Sequence, residues 1–75
     1  MSDETRRKAA DHCRANDASM TVRIEINAPY YQLAHAAFAE VTRRPMSKVT
    51  GRYWADAAAL IDEGWSPASP IEGKS

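Results

Sequence analysis

Met20–Asn27 reads MTVRIEIN, with Val22, Ile24 and Ile26 alternating against Thr21, Arg23 and Glu25. A period-2 pattern with one apolar face predicts a half-buried β-strand. It is the one strand candidate in the sequence, and a lone strand leaves its N–H and C=O groups unpaired along both edges. The expectation is that a second copy supplies the partner strand.

Downstream, the pattern changes from two to between three and four. Asn27 or Ala28 is placed to cap a helix and Pro29 suits its first turn, where N–H groups have no helical acceptor. Tyr30, Leu33, Ala34, Ala37, Phe38 and Val41 then form an apolar stripe running to about Arg43. Glu40 is one turn from Arg44, an i,i+4 pair. Pro45 disfavours helical geometry at Arg44, so the helix stops there, and Ser47 is placed to cap a second one. The stripe of that second helix is Val49, Thr50, Tyr53, Trp54, Ala57, Leu60 and Ile61, with Gly51 inside it and Gly64 in the position of a left-handed C-terminal cap. Trp65 can fold back onto Leu60 or Ile61 as that cap allows. Asp62 and Glu63 stand at the unfavourable end of the helix dipole.

Upstream, residues 1–19 carry no Val, Ile, Leu, Phe, Tyr or Trp, and read as a flexible arm. Ala9, Ala10, Arg6, Arg7, Lys8 and Arg14 are good or neutral helix formers, which permits a frayed helix within it. Met20 leaves two readings of this arm open: a functional segment, or an extension ahead of a start at Met20. Residues 65–75, WSPASPIEGKS, read as a flexible tail. The folded unit is then 20–64, near the lower limit of about 40 residues at which metals, disulfides or oligomerisation become necessary.

The whole chain of 75 residues makes one domain at most. Ten Lys and Arg balance ten Asp and Glu, so neither a basic nucleic-acid coat nor an acidic disordered tail is supported. Cys13 is the single cysteine, without a partner for a disulfide or a neighbouring set for zinc, which fits a reducing cytoplasm. No apolar run approaches the roughly 18 residues of a membrane span, and MSDETRRKAADH lacks a signal-peptide core. His12, His35 and Cys13 are the neutral-pH acid, base or nucleophile candidates, and their spacing brings no convergent set together. The glycines are isolated and form no phosphate loop. The sequence therefore implies no enzyme, no cofactor and no metal.

One alternating strand, a helix, a tight turn and a second capped helix resemble the ribbon-helix-helix DNA-binding family, and more loosely its ParD-like antitoxin branch. The resemblance spans Thr21 to about Gly64 and is carried by Val22, Ile24 and Ile26, by Leu33, Ala34, Phe38 and Val41, by Arg44 and Ser47 at the turn, and by Tyr53-Trp54-Ala55. It implies a mainly α fold with one short strand, as an intertwined homodimer whose two strands form an antiparallel ribbon. Val22, Ile24, Ile26, Leu33, Phe38, Val41, Tyr53, Trp54, Leu60 and Ile61 would make the dimer core.

The resemblance further implies that the ribbon enters the DNA major groove with Thr21, Arg23 and Glu25 toward the bases. Arg23 is the best reader, and Glu25 must accept from a cytosine amino group or pair with Arg23. Arg43, Arg44, Ser47 and Lys48 would hold phosphates near the start of the second helix. The function implied is a dimeric, sequence-specific transcriptional regulator, with the antitoxin of a toxin–antitoxin pair as a special case in which Trp65 and Ile71 anchor the toxin. The alternative, favoured by zero net charge and by Glu25, is a protein-interaction or assembly module that uses the same dimer without DNA and presents Tyr30, Tyr31 and the tail.

Overall fold

The computed structural model describes residues 2–67, which form three α-helices: α1 (Asp3–Asp17), α2 (Pro29–Arg43) and α3 (Tyr53–Asp62), with a single 3-10 turn at Met46–Lys48. Each helix packs on the other two. No helix among them is long and apolar enough to cross a membrane.

α2 occupies the span its stripe predicts, with Ala28 as N-cap, Pro29 in the first turn, and Leu33, Ala34, Ala37 and Val41 buried. α3 ends as its glycine predicts. Gly64 has φ +96 and donates its N–H to Ile61 O, while the Trp65 N–H reaches Leu60 O at 3.0 Å. These two bonds are a Schellman cap, and they turn Trp65 back against the core.

The ribbon-helix-helix expectation is overturned, because the described residues contain no strand. Met20–Glu25 is irregular chain and Ile26–Ala28 a turn and bend leading into α2. The amide N–H groups of Thr21 to Asn27 donate to no backbone acceptor among the described residues. Nor is the amino-terminal segment an arm. Residues 3–17 form α1, and Ala9, Ala10 and Cys13 are fully buried in one cluster with Leu33, Ala34, Ala37, Val41, Ala57, Ala58, Leu60 and Ile61. The physical reason is that α1 covers the stripes of α2 and α3 within one chain, the task assigned to a second copy in the ribbon dimer. Small side chains do this by letting helix backbones approach closely.

α1 is specified at both ends. The Ser2 side chain accepts from the Thr5 N–H at 3.1 Å, and Asp3 and Glu4 lie in the positive first turn. At the other end Ser19 takes φ +60, its N–H bonding Asn16 O and the Met20 N–H bonding Ala15 O at 2.9 Å. This is the same Schellman geometry with serine in the glycine position.

Polar contacts then lock α1 to α3. The Arg6 guanidinium donates to Ile61 O at 2.9 Å, to Trp65 O at 2.6 Å and to Ser66 Oγ at 3.2 Å, so it closes the Schellman turn from outside. Arg14 pairs with Asp62 at 2.9 Å and Asp11 at 3.2 Å. Asp62, at the negative end of the α3 dipole, thereby gains a cation.

The second helix also begins later than the Ser47 cap predicts. Ser47 lies in the 3-10 turn, the chain extends through Val49 and Thr50, and α3 starts at Tyr53. Gly51 is outside the helix with φ +93, a left-handed conformation that L side chains rarely adopt. Asp56 fixes this entry: its carboxylate accepts from the Thr50 N–H and the Thr50 hydroxyl, each at 2.9 Å, and Thr50 Oγ1 accepts from the Arg52 N–H at 3.2 Å.

Candidate functional site

Two regions concentrate unusual chemistry, and they adjoin. The first is the connection between α1 and α2. Met20 is 63% exposed, Ile24 63% and Ile26 60%, and the amides from Thr21 to Asn27 have no backbone acceptor among the described residues. Val22 is half-buried and turns toward a shallow groove of about 340 Å³ lined with Lys8, Asp11, His12, Arg23, Glu25 and Tyr30. Arg23 and Glu25 pair at 3.2 Å along the exposed chain.

Behind that groove lies the second region, a stack of rings from all three helices. His12 of α1 is only 7% exposed. Its ring centre is 6.0 Å from Tyr30, 5.6 Å from Tyr31 and 5.8 Å from His35 on α2, and 6.2 Å from Trp54 on α3. His35 packs on Tyr31 at 4.2 Å and on Trp54 at 5.3 Å. Trp54 in turn stacks on Phe38 at 4.2 Å. Burial lowers the proton affinity of the His12 imidazole, with a smaller repulsion from His35, and partial desolvation by the neighbouring rings lowers that of His35, which stays exposed. Burial likewise pushes the Cys13 thiol up to about 12, which leaves it protonated and unreactive as a nucleophile.

The residues expected to face DNA are not brought together. Thr21, Arg23 and Glu25 precede α2, whereas Arg43, Arg44, Ser47 and Lys48 follow or close it. The 15 residues of α2, about 22 Å long at 1.5 Å per residue, lie between the two sets along the chain. The second set is also partly neutralised. Arg43 bonds Glu40 at 2.7 Å and Arg44 bonds it at 3.2 Å, and hydrogen bonds from Arg44 and then Arg43 hold the Glu40 carboxyl below its ordinary value. Ser47 and Lys48 do not open an α-helix, so they offer no row of helical N–H groups to a phosphate.

Of the expected dimer core, Leu33, Val41, Leu60 and Ile61 are buried within the single chain. Phe38, Tyr53 and Trp54 pack half-buried against them. Val22 is half-buried, and Ile24 and Ile26 are exposed. Tyr30 and Tyr31 are half-buried in the ring stack rather than displayed. Trp65 packs on the core, while Ile71 and the rest of the tail from residue 68 lie outside the described residues. His12 is missed together with the rest of the buried face of α1, since Ala9, Ala10 and Cys13 are too small to mark that face in the sequence.

Comparison with protein-family models, curated proteins and solved structures finds no match for this chain.

Proposed function

We propose that this chain is a small helical protein-interaction module that docks a partner protein by strand addition along Thr21–Ile26. The observation that carries the reading is the exposure of Ile24 and Ile26 on a segment, Thr21–Asn27, whose amides have no backbone acceptor among the described residues, with exposed Met20 just before it. The edge of a partner sheet satisfies such amides, and alternate apolar side chains enter its pockets. From Thr21 to Ile26 the chain covers about 20 Å of that edge at roughly 3.3 Å per residue, the length of an ordinary strand. Arg23 and Glu25 already neutralise one another, so the contact is expected to tolerate salt. The reading sets the protein in the cytoplasm, where a lone thiol stays reduced, and gives it no catalytic role.

The test uses the parent protein and an Ile24→Ser/Ile26→Ser variant as parallel baits. The protein retained by the parent alone is purified and the complex is followed by amide hydrogen exchange. Protection appearing on Thr21–Asn27 and binding that survives high salt support the reading. Protection confined to another surface overturns it. So does self-association through the same segment, or a salt-sensitive shift of duplex DNA lost on replacing Arg43, Arg44 and Lys48, because phosphate contacts weaken as salt rises.

A further inference from the structure

The basic residues of this chain differ in what their backbone is doing. Arg6, Arg7, Lys8 and Arg14 lie within α1, and Arg43 lies within α2. The Arg44 N–H bonds Val41 O and Pro45 follows it, while the Lys48 N–H bonds Pro45 O. The Arg52 N–H bonds Thr50 Oγ1, and its carbonyl accepts from the Asp56 N–H. Arg23 alone among the described Lys and Arg residues stands on irregular chain, inside the run from Thr21 to Asn27 whose amides donate to no backbone acceptor among the described residues. Its side chain is 87% exposed, and its one ion pair is with Glu25, itself half exposed, a contact worth little in water. On either side, Met20, Thr21, Ile24, Glu25 and Ile26 are exposed, and Val22 is half-buried.

We infer that the Arg23–Ile24 bond is a processing site for an endopeptidase with a carboxylate in its specificity pocket, and that the cut protein stays assembled as two chains, residues 1–23 and 24–75. An endopeptidase takes its substrate as an extended strand bonded through the backbone, which helices and tied turns refuse and this connection offers without local unfolding. A carboxylate at the base of the pocket selects the guanidinium, as in trypsin. Water adds across the amide, leaving a carboxylate on Arg23 and an ammonium on Ile24, with no further co-reactant. The cut breaks no contact between α1 and the rest. Ala9, Ala10 and Cys13 remain buried against α2 and α3, Arg6 still donates to Ile61 O and Trp65 O, Arg14 still pairs with Asp62, and Arg52 with Asp17. What changes is molecularity: the connection no longer holds α1 at a high effective concentration, so the helix becomes a ligand that dilution releases. The inference does not rest on the docking reading, since partner capture and cleavage are measured apart, although the cut splits the docking segment.

The test treats the full-length protein with dilute trypsin under native conditions and follows the products by mass. The first cut between residues 2 and 67 should fall after Arg23. The two fragments should elute together from a sizing column in native buffer and separate in denaturant. The unfolding midpoint of the cut protein should lie below the parent's and rise with protein concentration. Arg23→Gln should abolish that product and slow loss of the intact span by roughly tenfold or more, because the remaining sites wait for a helix or a tied turn to open. A subtilisin-type protease, indifferent to basic residues, should still cut that variant first within residues 20–27. A first tryptic cut after another Lys or Arg of the span, an unchanged rate in Arg23→Gln, a first subtilisin cut outside residues 20–27, or fragments that part in native buffer at the concentration of the digest overturns the inference.

Discussion

The two connections of this small bundle are built on opposite principles. Between α2 and α3, the chain from Arg44 to Arg52 is tied down at nearly every turn. Arg44 bonds Glu40, the Lys48 N–H bonds Pro45 O at 2.8 Å, Thr50 is gripped by Asp56, and Arg52 pairs with Asp17 at the end of α1. Val49 packs on the core, and Met46 is a single exposed apolar side chain. Between α1 and α2, the chain from Ala18 to Ala28 has its backbone hydrogen bonds among the described residues at its ends, including the Met20 N–H on Ala15 O and the Ala28 N–H on Glu25 O, and Val22 is half-buried in between. Its middle holds Ile24 and Ile26 in water. One connection completes the fold. The other is left with unused hydrogen-bonding and apolar capacity, which a partner can satisfy.

This contrast can be broken by mutation, beginning with the helices that both connections serve. Leu33→Ala on α2 should cost about 2–5 kcal/mol in denaturant unfolding, since the side chain is fully buried. A loss near zero would mean that the connections, not the helix faces, hold the bundle. Asp56→Ala should cost roughly 1 kcal/mol by leaving the Thr50 N–H without its acceptor, the usual size of a lost cap. Ser19→Gly should stabilise by up to about 1 kcal/mol, because glycine takes the left-handed turn at the end of α1 without steric cost. The smallest effect belongs to the open connection: Ile24→Ser with Ile26→Ser should leave the unfolding free energy within about 0.5 kcal/mol of the parent, as exposed sites do. A larger loss would show that the segment is structural after all.

The same contrast explains which parts of the molecule the sequence discloses. α2 is legible from Pro29 to Arg43 because its stripe has large side chains and its ends have proline on one side and Pro45 on the other. The end of α3 is legible because Gly64 can do what Ser19 does at a cost. α1 is harder to see. Its buried face is Ala9, Ala10, His12 and Cys13, which carries almost none of the hydrophobic signal that periodicity detects, and serine replaces the terminal glycine. The Ser2 cap followed by Asp3 and Glu4 was its clearest marker. With α1 unseen, the apolar faces of α2 and α3 lack a cover, and the alternation at Val22, Ile24 and Ile26 is read as one half of a ribbon. Alternation records side-chain polarity and says nothing of where a backbone partner comes from. The Arg23–Glu25 pair was legible as one of two fates for Glu25, whereas the His12–His35 stack depends on a fold in which α1 packs.

Amide hydrogen exchange of the free protein, resolved residue by residue by NMR, tests the central claim most directly. The prediction is rapid exchange from Thr21 to Asn27, where no backbone acceptor is present among the described residues, beside slow exchange at Cys13 in α1 and at Leu60 in α3. Slow exchange alternating along Val22 to Ile26, together with fast exchange through α1, would contradict it and would mean that the segment is a paired strand and the amino-terminal helix an arm.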